Sequence, residues 1–145
     1  MIVIYHWWSQ FPCNVWENLF HPIIHAIATL RGHNSSVEIV VLDCSQHENN
    51  WGMFPKNLNF KVEKVSHLIP GIPVFPYNPG HYNLCSRIFS VADFVKKIKS
   101  TILFSDCDIF WLRDPLPLEC NPNLFCALKL NSGLLYYDTK SQVLQ

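Results

Sequence analysis

The sequence predicts an α/β domain built on a mostly parallel sheet with flanking helices. The short, continuous apolar run Ile2-Val3-Ile4-Tyr5 and the segment Val37-Glu38-Ile39-Val40-Val41-Leu42-Asp43 read as buried strands. Between them Val15, Trp16, Leu19, Phe20, Ile23, Ile24, Ile27 and Leu30 recur at three- and four-residue spacing, which is helical. A second helical pattern, through Leu84, Ile88, Val91, Ala92, Val95 and Ile98, feeds straight into a further apolar run at residues 101–104. Strand, helix and strand within about forty residues make a βαβ unit, whose crossover is expected to be right-handed.

Taken in order, the first strand empties into the aromatic and polar loop His6-Trp7-Trp8-Ser9-Gln10. Asn14 with Glu17 reads as a helix cap pair, and Gly32 as a stop. Pro22 interrupts that pattern, so either the helix kinks there or it begins with His21 as cap and Pro22 as first residue. After the second strand, residues 45–59 turn polar and asparagine-rich, as a long loop or a helical excursion. Phe60-Lys61-Val62-Glu63-Lys64-Val65 alternates apolar and charged, the pattern of an edge strand. Pro70, Gly71, Pro73, Pro76, Pro79 and Gly80 then punctuate a loop, read as a functional flap. Lys96, Lys97 and Lys99 complement the dipole at the end of the second helix. Beyond Pro115 and Pro117, residues 124–130 and Leu134-Leu135-Tyr136-Tyr137 read as strands around an Asn131-Ser132-Gly133 turn.

A chain of 145 residues, 49% hydrophobic and 15% charged, suffices for a single folded domain over residues 1–145 but not for two. Zero formal net charge offers no electrostatic footprint for nucleic acid or an anionic membrane. The apolar runs are strand-sized, so no transmembrane segment is expected, and the first residues lack the basic region of a secretion signal. Of six cysteines, Cys44, Cys107 and Cys126 sit in or at the end of apolar runs, and no CxxC pair occurs. A reducing, cytoplasmic setting follows as the expectation. His21 and His25 have a helical zinc spacing but lack a second ligand pair, and read as ordinary helix residues.

The chemistry concentrates in Ser105-Asp106-Cys107-Asp108-Ile109. In an extended segment, residues two apart share a face with α-carbons roughly 6.5 Å apart, so Asp106 and Asp108 would point together and Cys107 away. Two neighbouring carboxylates repel, and a hard divalent cation, Mn²⁺ or Mg²⁺, is the natural counter-charge. Asp114, before Pro115, reads as a turn former.

An apolar strand ending in Asp106-Cys107-Asp108, with Asn131-Ser132-Gly133 ahead of another strand, resembles the nucleotide-diphospho-sugar transferases of the GT-A fold. The helix from Arg87 and the Arg113-Asp114-Pro115-Leu116 turn are similar to that family too. The resemblance implies a Rossmann-like nucleotide-binding sheet and a metal-dependent glycosyltransferase acting on a nucleotide-diphosphate-sugar donor. Asp108 would ligate the metal, and Asp106 would contact the ribose and share the metal. Asn131, Ser132 and Gly133 would border the donor sugar, and Arg87 is either a diphosphate contact or a solvated helix residue. Tyr5, His6 and Trp7 follow the first strand, where nucleotide-binding folds often contact base and ribose, and Tyr5 or Trp7 would stack on a base unless they are core aromatics. The acceptor, a glycan, protein or lipid, is normally shaped by a C-terminal part that these 145 residues do not contain, which predicts a truncated chain. Two alternatives stand beside this expectation: a non-catalytic nucleotide- or metal-binding domain, and a haloacid dehalogenase-like phosphatase. The latter family places its acidic pair near the N-terminus and follows it with a small residue, whereas Ile109 and Phe110 follow here.

Overall fold

The structure is a computed structural model and describes residues 1–9, 22–45, 47–65, 79–98, 100–115 and 134–137. Five strands form one sheet in the order β3-β2-β1-β4-β5: β1 (Ile2–Trp7), β2 (Glu38–Asp43), β3 (Lys61–Lys64), β4 (Ile102–Ser105) and β5 (Leu134–Tyr137). The first four run parallel, and β5 joins antiparallel to β4. Among the described residues two α-helices, α1 (Pro22–His33) and α2 (Pro79–Lys97), accompany the sheet in an α/β arrangement.

Strand parity assigns the helices to opposite faces. Val3 and Tyr5 of β1, Ile39 and Val41 of β2 and Leu103 of β4 pack with Ile23, Ala26, Ile27 and Leu30 of α1. Ile2, Ile4, Val40, Leu42, Ile102 and Phe104 pack on the other side with Val91, Phe94 and Val95 of α2. This is the outcome right-handed crossovers require. The chain steps one way from β1 to β2 through α1, and the opposite way from β3 to β4 through α2.

The βαβ unit and the charged edge strand emerge as expected, with differences at the element ends. β1 extends past its apolar run because His6 and Trp7 still pair with Leu42 and Asp43. The described α1 opens at Pro22, whose missing N–H costs nothing in a first turn, and continues through Gly32 to His33. Pro79 and Gly80, read as loop punctuation, are instead the first residues of α2, where proline is tolerated for the same reason. The polar stretch after β2 makes two single-turn 3₁₀ helices, Trp51–Met53 and Lys56–Leu58. The rest of the proposed flap, residues 70–78, lies outside the described residues, as do residues 124–130 and the Asn131-Ser132-Gly133 turn.

The largest correction concerns the acids. β4 stops at Ser105, opposite Tyr5, and Asp106-Cys107-Asp108 forms a turn rather than the end of a strand. The N–H of Ile109 donates to the carbonyl of Asp106 at 3.4 Å, closing that turn. The alternation argument for the two carboxylates therefore does not apply, although Cys107 does turn inward. Its thiol donates to the carbonyl of His6 at 3.1 Å, just past the last β1–β4 pair.

Asp43 closes β2 with a buried carboxylate. It accepts from the Ser45 N–H at 2.9 Å, Asn49 Nδ2 at 3.0 Å and Trp51 Nε1 at 2.8 Å, with Lys64 Nζ at 3.6 Å. Burial alone would raise its pKa, but the bonds from Trp51, Asn49 and Ser45 outweigh burial and hold it below the usual carboxylate range. With the folded value depressed, the ionised carboxylate stabilises the fold above the unfolded pKa of about 3.9. That stabilisation is lost as pH falls through the folded value. Urea unfolding from pH 7 to pH 3 should therefore give a wild-type stability that drops below about pH 4. Asp43→Asn should be less stable by roughly 2 kcal/mol at pH 7 and lose less on acidification.

Candidate functional site

The strand order fixes where a ligand can enter. The chain leaves β1 toward β2 on one side and returns to β4 on the other, so the crevice at the carboxyl ends of β1 and β4 is the sheet's switch point. A cleft of about 350 Å³ opens there, and Asp106, Asp108, Arg87 and His6 line it with Trp7 and Trp8. β1 delivers His6 and Trp7, α2 delivers Arg87, and the turn after β4 delivers the acids.

Anchors at both ends hold that turn in place. On one side stands β4; on the other, Trp111 is buried against α1 and β1. Its indole N–H donates to the Tyr5 hydroxyl at 2.8 Å, and its backbone N–H to Thr29 Oγ1 at 3.2 Å. Three residues on, both carboxylate oxygens of Asp114 accept from Asn34 Nδ2 at 3.1 Å. Asn34 is itself fixed at the end of α1, where its side-chain oxygen accepts from the N–H groups of Ser36 and Val37. Asp114 is thus tied to the α1–β2 connection, in keeping with a turn role.

Inside the cleft, Arg87 Nη1 donates to Asp106 Oδ1 at 2.9 Å, and the guanidinium lies 5.8 Å from the centre of the Phe104 ring. Asp106 is partly buried, and burial raises its pKa above the ordinary carboxylate value. Arg87 opposes that shift and the neighbouring Asp108 adds to it. Asp108 is exposed and has no ion-pair partner among the described residues. The Cys107 thiol is pushed far up by burial and by both carboxylates, which makes it unreactive. His6 is pulled down to about 4, by burial first and then by the charge of Arg87, against a smaller opposing effect of Asp43. At neutral pH its imidazole is uncharged. Its Nε2 is closed from solvent and has no hydrogen-bond partner among the described residues, a loss of about 1–3 kcal/mol for such an atom.

The structure thus brings together Arg87, Asp106 and Asp108, and leaves Tyr5 elsewhere. Tyr5 is wholly buried on the α1 face of the sheet, with its hydroxyl engaged by Trp111, so it presents no face on which a base could stack. The aromatic residues that reach the cleft are Trp7 and Trp8. Asn131, Ser132 and Gly133 lie outside the described residues. Sequence reasoning did not assign Trp8 or Pro22 to the site, and it placed His6 after the first strand without giving it a contact of its own. The signal for His6 was strand parity: as an even-numbered residue of β1 it falls on the α2 face, with Ile4.

Among the described residues no group of three or more histidine, cysteine or acidic side chains could hold a metal by itself. Two adjacent carboxylates, one of them without a cationic partner, do fit a cation whose remaining ligands come from phosphate oxygens and water, which is how Mg²⁺ is commonly bound. Fold and described site together define an α/β domain with Asp106, Asp108 and Arg87 in a cleft at the switch point of its sheet. No protein-family model matches the chain, and no curated protein matches it.

The position of Tyr5 leads to an expected separation of effects. Tyr5→Phe removes the acceptor of the buried Trp111 N–H and should cost about 1–3 kcal/mol in urea unfolding. Ligand binding in the cleft should be unchanged, because Tyr5 does not line it.

Proposed function

We propose that the chain is the donor-binding domain of a metal-dependent glycosyltransferase of the GT-A type. On this reading Asp108 and Asp106 hold Mn²⁺ or Mg²⁺ against the diphosphate of a nucleotide-diphosphate-sugar, and a glycan, protein or lipid accepts the sugar. The observation that carries the reading is the paired, partly uncompensated carboxylates of Asp106 and Asp108 beside Arg87 in the switch-point cleft.

Each residue has a task that its environment supports. The cation, when bound, neutralises charge developing on the diphosphate leaving group. Arg87 supplies the one fixed positive charge of the described cleft wall, close enough to Asp106 to hold it in the free protein. Trp7 and Trp8 offer ring surface at the end of β1, suited to a base or a sugar face. Asn131, Ser132 and Gly133 are assigned to the donor-sugar border by resemblance alone. No described helix is long and apolar enough to cross a membrane. The free thiols of Cys44 and Cys107 accord with the cytoplasmic placement we propose.

Calorimetric titration with UDP and GDP, each with and without Mn²⁺, tests the reading. Binding should require the metal. Asp108→Ala should weaken it by at least about tenfold, some 1.4 kcal/mol, with the unfolding midpoint nearly unchanged because Asp108 is exposed. Wild-type protein that binds neither nucleotide in the presence of Mn²⁺, or an Asp108→Ala variant that binds as wild type does, would exclude the proposal.

A further inference from the structure

The described cleft wall includes a polar atom that the proposed donor chemistry leaves without a task. His6 stands at the carboxyl end of β1 and lines the cleft, yet its Nε2 has neither solvent nor a hydrogen-bond partner among the described residues. Folded proteins rarely leave a buried polar side-chain atom unsatisfied, and one on a residue that lines a cleft points to a ligand as the missing partner. We propose that His6 is a further ligand-binding residue of this cleft, its Nε2 donating a hydrogen bond to a diphosphate oxygen drawn in beside Arg87. The assignment rests on the donor reading above and extends it to a residue outside the acidic motif.

Three features select an anionic oxygen as that partner. The charges acting on the imidazole are those of Arg87, on α2, and Asp43, on β2. Arg87 acts more strongly than Asp43, so the local field favours an acceptor. The imidazole is neutral, and a neutral ring beside an arginine can donate from Nε2 without adding a second positive charge to the free protein. His6 shares the α2 face of the sheet with Phe104, above which the Arg87 guanidinium lies, so an anion meeting Arg87 arrives on the same side. Because Nε2 has no access to solvent, the contact requires a side-chain shift in the cleft wall. Movement of Arg87 from Asp106 toward an arriving phosphate would supply such a shift, and Asp106 would then be free for the cation.

The inference predicts opposite effects on stability and binding. His6→Phe removes a buried unsatisfied atom and should raise the unfolding midpoint. It should also weaken Mn²⁺-dependent UDP or GDP binding about tenfold, while His6→Gln, whose amide nitrogen approximates the position of Nε2, should restore most of the affinity. A His6→Phe variant that is more stable and binds as wild type does would overturn the proposal and leave the donor reading standing. The wild-type protein provides a second measurement that needs no variant. On addition of inorganic pyrophosphate with Mg²⁺, the Nε2 nitrogen resonance of His6 should shift. A shift with pyrophosphate in a protein that binds no nucleotide supports the anion contact while the donor reading fails. No shift in a protein that binds nucleotide and metal overturns the His6 assignment alone, and no response to any of these ligands overturns both.

Discussion

β1 is the constraint on which the other elements depend. It pairs with β2 along one edge and β4 along the other, and helices cover both faces, so Val3, Ile4 and Tyr5 have no exposed surface at all. Burying side chains of that size contributes about 1.5–3 kcal/mol each and forbids an unpaired polar group anywhere along the run. Polar chemistry can therefore begin only where a neighbour stops. β4 ends opposite Tyr5, two residues before β1 does, and the cleft opens beside the residues left over, His6 and Trp7. The site's location is thus a consequence of unequal strand lengths around one central strand.

The same inequality explains why the acidic turn has a defined shape. Once β4 has stopped, nothing in the sheet ladder fixes residues 106–110, and other bonds take over. The Cys107 thiol caps the His6 carbonyl, Arg87 holds Asp106, and Trp111 anchors the exit on Tyr5 and Thr29. Tyr5 therefore acts on stability, through the anchor that follows the acidic turn, and does not line the cleft itself. Its burial pushes the phenol's pKa far up, so the hydroxyl stays protonated and available to Trp111 at any ordinary pH.

Much of this was legible in the sequence, and the rest was not, for physical reasons. Apolar runs and helical spacing report burial directly, so β1, β2, α1 and the parallel sheet could be read from them, as could the exposed edge β3. Asp106 and Asp108 were legible as a pair because their spacing is local. The end of β4 was not, since Ser105 and Asp106 differ little in local preference and the pairing partner decides which is strand. The opening of α2 at Pro79 was hidden because proline serves turns and first helical turns alike. The Arg87–Asp106 pair joins residues 19 apart in sequence, and Tyr5–Trp111 joins residues 106 apart. No local pattern encodes either.

Asp43 and Asp106 show why the acidic turn, and not the other strand-end carboxylate, is the place to seek a cation. Asp43 closes β2 and Asp106 follows β4, at the same end of the same sheet. Asp43 is satisfied within its own loop by Ser45, Asn49 and Trp51, with Lys64 nearby, and its pKa falls despite burial. That carboxylate has little capacity left for a ligand. At the acidic turn the balance runs the other way. Arg87 reaches Asp106, while Asp108 stands without a cationic partner among the described residues and helps to push the pKa of Asp106 up. A carboxylate whose ionised form is disfavoured by its surroundings gains from an added positive charge, and one already held by hydrogen bonds from three residues with a lysine nearby gains less. The surplus negative charge in the cleft is therefore a property of the folded arrangement, and it is what a divalent cation bound with a diphosphate would relieve.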